Sequence, residues 1–168
     1  MNDEDLFHPK LMTLEEFLAM RRVLPAGYRL VFTNGCFDLL HPGHVDLLAR
    51  ARALGDGLIV GLNSDASVKR IKKDAKGARR PLNSQAARAF VLAGLEAVDF
   101  VVIFDQDTPL ELIRAVQPQV LIKGGDWGKE SIVGREVVEN AGGQVMSLPL
   151  LQGYSTTGLI ERIIKSAR

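Results

Sequence analysis

Leu30-Val31-Phe32-Thr33-Asn34-Gly35-Cys36-Phe37-Asp38-Leu39-Leu40-His41-Pro42-Gly43-His44 begins with three apolar residues in a row and ends on a proline and a glycine held between histidines. The apolar triplet reads as a buried strand. The run from Pro42 reads as a helix, because proline suits a first helical turn, where its missing N–H has no partner to lose. A strand that passes through a glycine-containing turn straight into a helix is the opening of a βαβ unit. The same geometry sets free backbone amides of the helix's first turn beside His41 and His44, and a helix N-terminus attracts anions.

The alternation continues downstream. Short apolar runs at 58–62, 100–104, 120–122 and 145–148 read as further strands, with helical stretches expected at 42–54, 84–95, 109–116, 132–140 and 156–165. Gly55 and Gly142 stand where C-terminal helix caps belong. Upstream, Thr13-Leu14-Glu15-Glu16 has the form of a capping box, opening a helix to about Val23 before Pro25-Ala26-Gly27 stops it. The expected organisation is a leader helix within residues 1–28 and a single domain over 29–168. That domain is α/β, a doubly wound, Rossmann-like, five-stranded parallel sheet flanked by helices, with ligands beyond the carboxyl ends of the strands. The stretch 69–83, rich in Lys, Arg, Gly and Ala, reads as a mobile surface loop.

The bulk composition narrows the function classes. At 168 residues, with 46% hydrophobic and 24% charged, the chain can bury one core without disulfides. A net charge of +1 argues against a nucleic-acid surface, so anions must be met locally. The single Cys36 forms no internal disulfide and no secretory signal precedes the domain, which points to the reducing cytoplasm. The apolar runs are strand-sized, short of the ~20 residues a bilayer requires.

His41 and His44, three apart, share one face of a helical turn and can offer ring N–H groups to phosphate oxygens, with Gly43 leaving room between them. Attack on the α-phosphate of a triphosphate adds charge that such donors stabilise. A lone His-x-x-His would be a capping detail. Zinc is disfavoured, since only Asp38 and Asp46 stand nearby and no third His or Cys completes a set.

Gly35-x-Phe37-Asp38-x-x-His41-x-Gly43-His44 resembles the motif of the cytidylyltransferase-like nucleotidyltransferases. The resemblance implies that both histidines contact the triphosphate and stabilise the transition state, while the backbone of Thr33, Asn34, Gly35 and Phe37, with Gly43, passes close to the nucleotide. It implies sugar-phosphate contacts for Asp38 and Asp65, although Asp65 in Asn63-Ser64-Asp65 reads equally as a helix cap. The basic run Lys69, Arg70, Lys72, Lys73 reads more simply as a solvated face. Arg79-Arg80-Pro81 followed by Arg88 resembles the family segment in which an arginine of the next helix reaches the phosphates, with Arg80 on the sugar-phosphate side.

Lys123-Gly124-Gly125-Asp126-Trp127 is similar to the segment that shapes both pockets in the heptose 1-phosphate adenylyltransferases. Lys123 is then catalytic, Gly124 and Asp126 bind nucleotide, and Trp127 borders the sugar phosphate. Ser155-Thr156-Thr157 resembles the family's closing phosphate motif. No arginine precedes it in Leu151-Gln152-Gly153, which points away from the glycerol-phosphate branch. The resemblance covers about residues 29–164. It implies transfer of AMP from ATP, with Mg2+ carried by ATP and no direct protein ligands to the metal, onto D-glycero-D-manno-heptose 1-phosphate. It also implies a homo-oligomer, while the net charge and the strand-sized apolar runs argue against a nucleic-acid or membrane partner. At this length we expect a standalone transferase without a fused sugar kinase. The alternatives are another nucleotide or sugar- or polyol-phosphate specificity within the superfamily, or a nucleotide-binding module without turnover.

Overall fold

All seven residues of Gly57–Asn63 are buried, as required of a strand covered on both faces. In the computed structural model, which describes residues 6–72 and 77–167, this segment is β3 of one parallel sheet. The other strands are β1 Leu11–Met12, β2 Leu30–Gly35, β4 Phe100–Phe104, β5 Val120–Gly124 and β6 Gln144–Leu148, in the order β1-β4-β3-β2-β5-β6. The helices are α1 Leu14–Arg21, α2 Pro42–Arg52, α3 Asp65–Ile71, α4 Gln85–Ala93, α5 Leu110–Val116, α6 Arg135–Asn140 and α7 Thr156–Ser166, with a 3₁₀ turn at Lys129–Ser131.

Strand alternation divides the core in two. Val31 of β2 and Val120 and Ile122 of β5 pack with Leu47, Leu48 and Ala51 of α2 and Ala89, Leu92 and Ala93 of α4. Leu30, Phe32 and Leu121 face the other way, onto Phe17 of α1, Leu112, Ile113 and Val116 of α5 and Val138 of α6. The chain leaves β2 for β3 and β4 on one side and returns to β5 and β6 on the other. The switch point therefore lies between β2 and β5, which pair directly, Val31 opposite Val120 and Phe32 opposite Leu121.

The doubly wound parallel α/β class is as expected, with six strands in place of five. The additional one, β1, pairs with β4, Leu11 opposite Val101 and Met12 opposite Val102. Two residues carry no periodic signal. The capping box forms, Thr13 Oγ1 accepting from Glu16 N and Glu16 Oε2 from Thr13 N, but α1 ends at Arg21. Phe17 is fully buried, edge-on to Phe100 at 5.4 Å, so residues 11–17 pack against the sheet.

The expected surface loop is also corrected. Its first three residues, 69–71, complete α3, which Ser64 caps by accepting from Ser67 N. Val68 anchors that helix in the interior. Lys73 lies outside the described residues. Gly142 has a φ of +80° and is a left-handed helix end. Gly55 is required for another reason: a Cβ there would stand 2.3 Å from the Arg29 carbonyl oxygen.

Candidate active site

Because β2 and β5 are adjacent and parallel, the turn after Gly35 and the end of β5 at Lys123 emerge side by side. There a cleft opens in two connected parts. The inner part, about 390 Å³, is bordered by Asn63, Arg80, Asp107, Thr108 and Thr157. The outer part, about 320 Å³, is bordered by His41, Gly43, Gly124, Trp127, Tyr154 and Ser155. Asn34, Gly35, Cys36, Phe37, His44, Lys72, Lys123 and Thr156 line both.

His41 is the N-cap of α2 and makes no side-chain capping bond, with Pro42 inside the first turn. Its ring stacks on that of His44, centroids 3.7 Å apart and 21° from parallel. The Nδ1 atoms of both rings are buried and have no hydrogen-bond partner among the described residues. Buried polar atoms left open in this way mark a place for water or ligand. Burial holds both imidazoles below their ordinary pKa. His44 falls to about 4, through desolvation first and then the nearby His41 and Arg80. Both rings are thus neutral at pH 7 and can donate hydrogen bonds without an imidazolium charge.

The sign of the pH effect follows from His44. Between its ordinary 6.5 and about 4, the unfolded chain binds a proton that the folded chain does not, so its contribution to stability is lost as pH falls through that window. We expect the urea midpoint of the free protein to fall between pH 7 and pH 5, and to fall less in His44→Gln. Equal losses in both proteins would contradict this assignment.

Phe37 supports the pair. Its φ of +44° is rare for a residue with a side chain, and its buried ring lies 5.2 Å from the His44 ring. A Cβ on Gly35 would meet that ring at 2.9 Å, so the turn accepts only glycine there without displacing Phe37. Tyr154, not anticipated from sequence, lies parallel to His41 at 6.5 Å.

Lys123 is half-buried, and its ammonium lies 5.7 Å from the centroid of the Trp127 ring. Desolvation first, then repulsion from Lys72, lowers its pKa. Two cations that repel across an open cleft favour an anion between them. Ser155 caps α7 by accepting from Gly158 N, which leaves its hydroxyl proton free, and Thr156 and Thr157 line the cleft beside it. The N-termini of α2 and α7 therefore face one space.

The other sequence candidates are placed differently. Thr33 is fully buried on the strand and borders neither part of the cleft. Asp38, 2% exposed, accepts from Arg80 Nε at 2.5 Å and from the amides of Leu82 and Asn83, so its carboxylate is occupied. Arg80 still borders the inner part. Asp65 accepts from the buried Arg88, and neither residue borders either part of the cleft. Asp126 is exposed and borders neither part. Sequence reasoning gave no site role to Asn63, Asp107 or Thr108, which border the inner part. The available signal was position: Asn63 is the last residue of β3, and Asp107 and Thr108 lie just beyond the carboxyl end of β4.

Among the described residues no three His, Cys, Asp or Glu side chains cluster to hold a metal ion. No helix among them is long and apolar enough to cross a membrane.

A parallel α/β sheet with helix N-termini, paired imidazoles and lysines converging on its switch point defines a protein that handles nucleotide phosphates. The family model described as cytidylyltransferase-like matches residues 32–162, and the chain belongs to that family of nucleotidyltransferases. It is 62% identical over 137 residues to the bifunctional protein HldE of Geotalea uraniireducens and 60% identical over 136 residues to that of Nitrobacter winogradskyi. These alignments cover 82% and 81% of the chain, which spans 27% of the length of either relative. Among solved structures, the lipopolysaccharide core biosynthesis protein of Thermoplasma volcanium aligns with a TM-score of 0.59 at 23% identity, over 77% of this chain and 100% of that one. A pantoate-beta-alanine ligase from Francisella tularensis shares the fold with a TM-score of 0.59 at 13% identity, over 84% of this chain and 67% of that one.

Proposed function

We propose that this chain transfers the adenylyl group of ATP to D-glycero-D-manno-heptose 1-phosphate, releasing pyrophosphate and forming ADP-heptose for lipopolysaccharide or a related glycan. The observation that carries the reading is the stacked, neutral His41–His44 pair with open Nδ1 atoms, facing the N-terminus of α7 across a cleft bordered by Lys72 and Lys123. The choice of adenine and heptose is supported by the Lys123–Trp127 segment and by about 60% identity to the HldE proteins.

An oxygen of the sugar phosphate attacks the α-phosphorus, the bond from that phosphorus to the bridging oxygen of the β-phosphate breaks, and pyrophosphate departs with the electron pair. No covalent intermediate on the protein is needed. His41 and His44 donate to the oxygens on which charge develops, while Lys123, Lys72 and the Ser155–Thr157 hydroxyls hold the triphosphate. Arg80, Trp127 and the inner part of the cleft accommodate the sugar phosphate. Mg2+ enters with ATP as part of the substrate; Asp38 and Asp65 are already paired with arginines, and no direct ligand to it is assigned. We place the enzyme in the cytoplasm, in keeping with its single cysteine, and expect a homo-oligomer.

The test is mass spectrometry of products from ATP, CTP, GTP and UTP, each with a panel of sugar and polyol phosphates. ADP-heptose with stoichiometric pyrophosphate is the expected product. Turnover of CTP with ATP inert would move the chain to another specificity of the family, and no turnover with any pair would leave a binding module.

A further inference from the structure

The resemblance assigns Arg88 to the phosphates, but its position in the fold indicates a different task. Its side chain is wholly buried within α4 and borders neither part of the cleft. Its guanidinium donates from Nη1 to the Cys36 carbonyl at 2.6 Å, from Nε to the Asn83 carbonyl at 3.2 Å and from Nη2 to Asp65 Oδ1 at 2.7 Å. These acceptors belong to the turn after β2, the segment before α4 and the first residue of α3. Each of its three nitrogens is thus engaged by a protein acceptor.

The Cys36 carbonyl is part of the peptide plane leading into Phe37. Pinning that oxygen restricts rotation about the bonds that set Phe37 in its left-handed conformation, which nothing intrinsic to phenylalanine favours. The Phe37 ring, placed by that conformation, packs against His44. Through Asp65 the same guanidinium also holds the start of α3, whose far end presents Lys72 to the cleft. A lysine could not replace it, since one ammonium on a flexible stem lacks the planar fork that meets acceptors on separate elements.

We propose that Arg88 is a positioning residue: it locks the Cys36–Phe37 turn and thereby holds the His44 ring in the orientation that faces the triphosphate. This rests on the nucleotidyl-transfer reading above, but its first consequence is a property of the free protein.

The experiment compares wild-type, Arg88→Lys and Asp65→Asn full-length proteins in two ways. The His44 ring resonances are followed by NMR without substrate, and pyrophosphate release is measured with ATP and the sugar phosphate that the wild-type protein accepts. In Arg88→Lys, the His44 resonances and titration midpoint should move toward those of an ordinary exposed histidine. A misplacement of this kind should lower kcat by about 10²-fold. The KM for ATP should change far less than kcat, since Lys123 and the Ser155–Thr157 hydroxyls, which hold the triphosphate independently of Arg88, are untouched. Asp65→Asn should show smaller changes in the same direction. Unchanged His44 resonances together with a raised KM for ATP and an intact kcat in Arg88→Lys would mean that Arg88 binds phosphate, and would overturn the proposal. If Arg88→Lys does not fold, Asp65→Asn decides, and wild-type resonances and kcat there overturn it equally. The NMR comparison needs no turnover, so it tests the hold of Arg88 on the His44 ring even if the proposed reaction is wrong.

Discussion

Replacing His44 by alanine is expected to lower pyrophosphate release by about 10²–10³-fold while the protein stays folded, and His41→Ala should do nearly the same. The rings stack at 3.7 Å, which disfavours both being imidazolium cations, and burial already keeps them neutral near pH 7, each with one ring N–H. Their contribution is therefore that of preorganised N–H donors to the charge that accumulates as pyrophosphate departs. A donor of this type stabilises a transition state by about 2.7–4 kcal/mol, which corresponds to about 10²–10³ in kcat. Fold retention follows from His44 being only half-buried and from the absence of any side-chain capping bond at His41. Thermal melts beside a pyrophosphate assay check both parts. Turnover within about threefold of wild type in either variant would remove the histidines from the mechanism.

Asp38→Ala should have the largest effect on stability, costing about 3–5 kcal/mol, as expected when one partner of a buried ion pair is removed. Asp38 is 2% exposed and accepts from Arg80 Nε and from the Leu82 and Asn83 amides. Its own backbone carbonyl accepts from Asn83 Nδ2, which ties the turn after β2 to the segment before α4. Truncation leaves a guanidinium and two amides without their acceptor in a poorly solvated space. Asp38→Asn keeps an acceptor oxygen and should lose less. Urea unfolding of both variants measures the difference. A loss below about 1 kcal/mol in Asp38→Ala would show that the carboxylate is free to serve a ligand, as the family resemblance implies.

The sequence alone determined the architecture and the location of the cleft. Strand and helix character depend on local periodicity, and residues 30–44 carry a strand, a glycine turn and a proline-led helix start in one short span. Every segment expected as a strand from residue 29 onward is one, and His41, His44, Lys123 and the Ser155–Thr157 run do converge on the cleft. Only the tertiary structure decided which polar side chains face the cleft and which hold its walls. Asp38 and Arg80 lie 42 residues apart, Asp65 and Arg88 23, and Cys36 and Arg88 52. A charged residue near a motif looks the same in sequence whether it meets a substrate or a buried partner, because that choice is made by burial and by which distant element packs against it. The two-residue β1 escaped notice for the same reason: it is held by its pairing with β4, more than eighty residues away, and not by any pattern of its own.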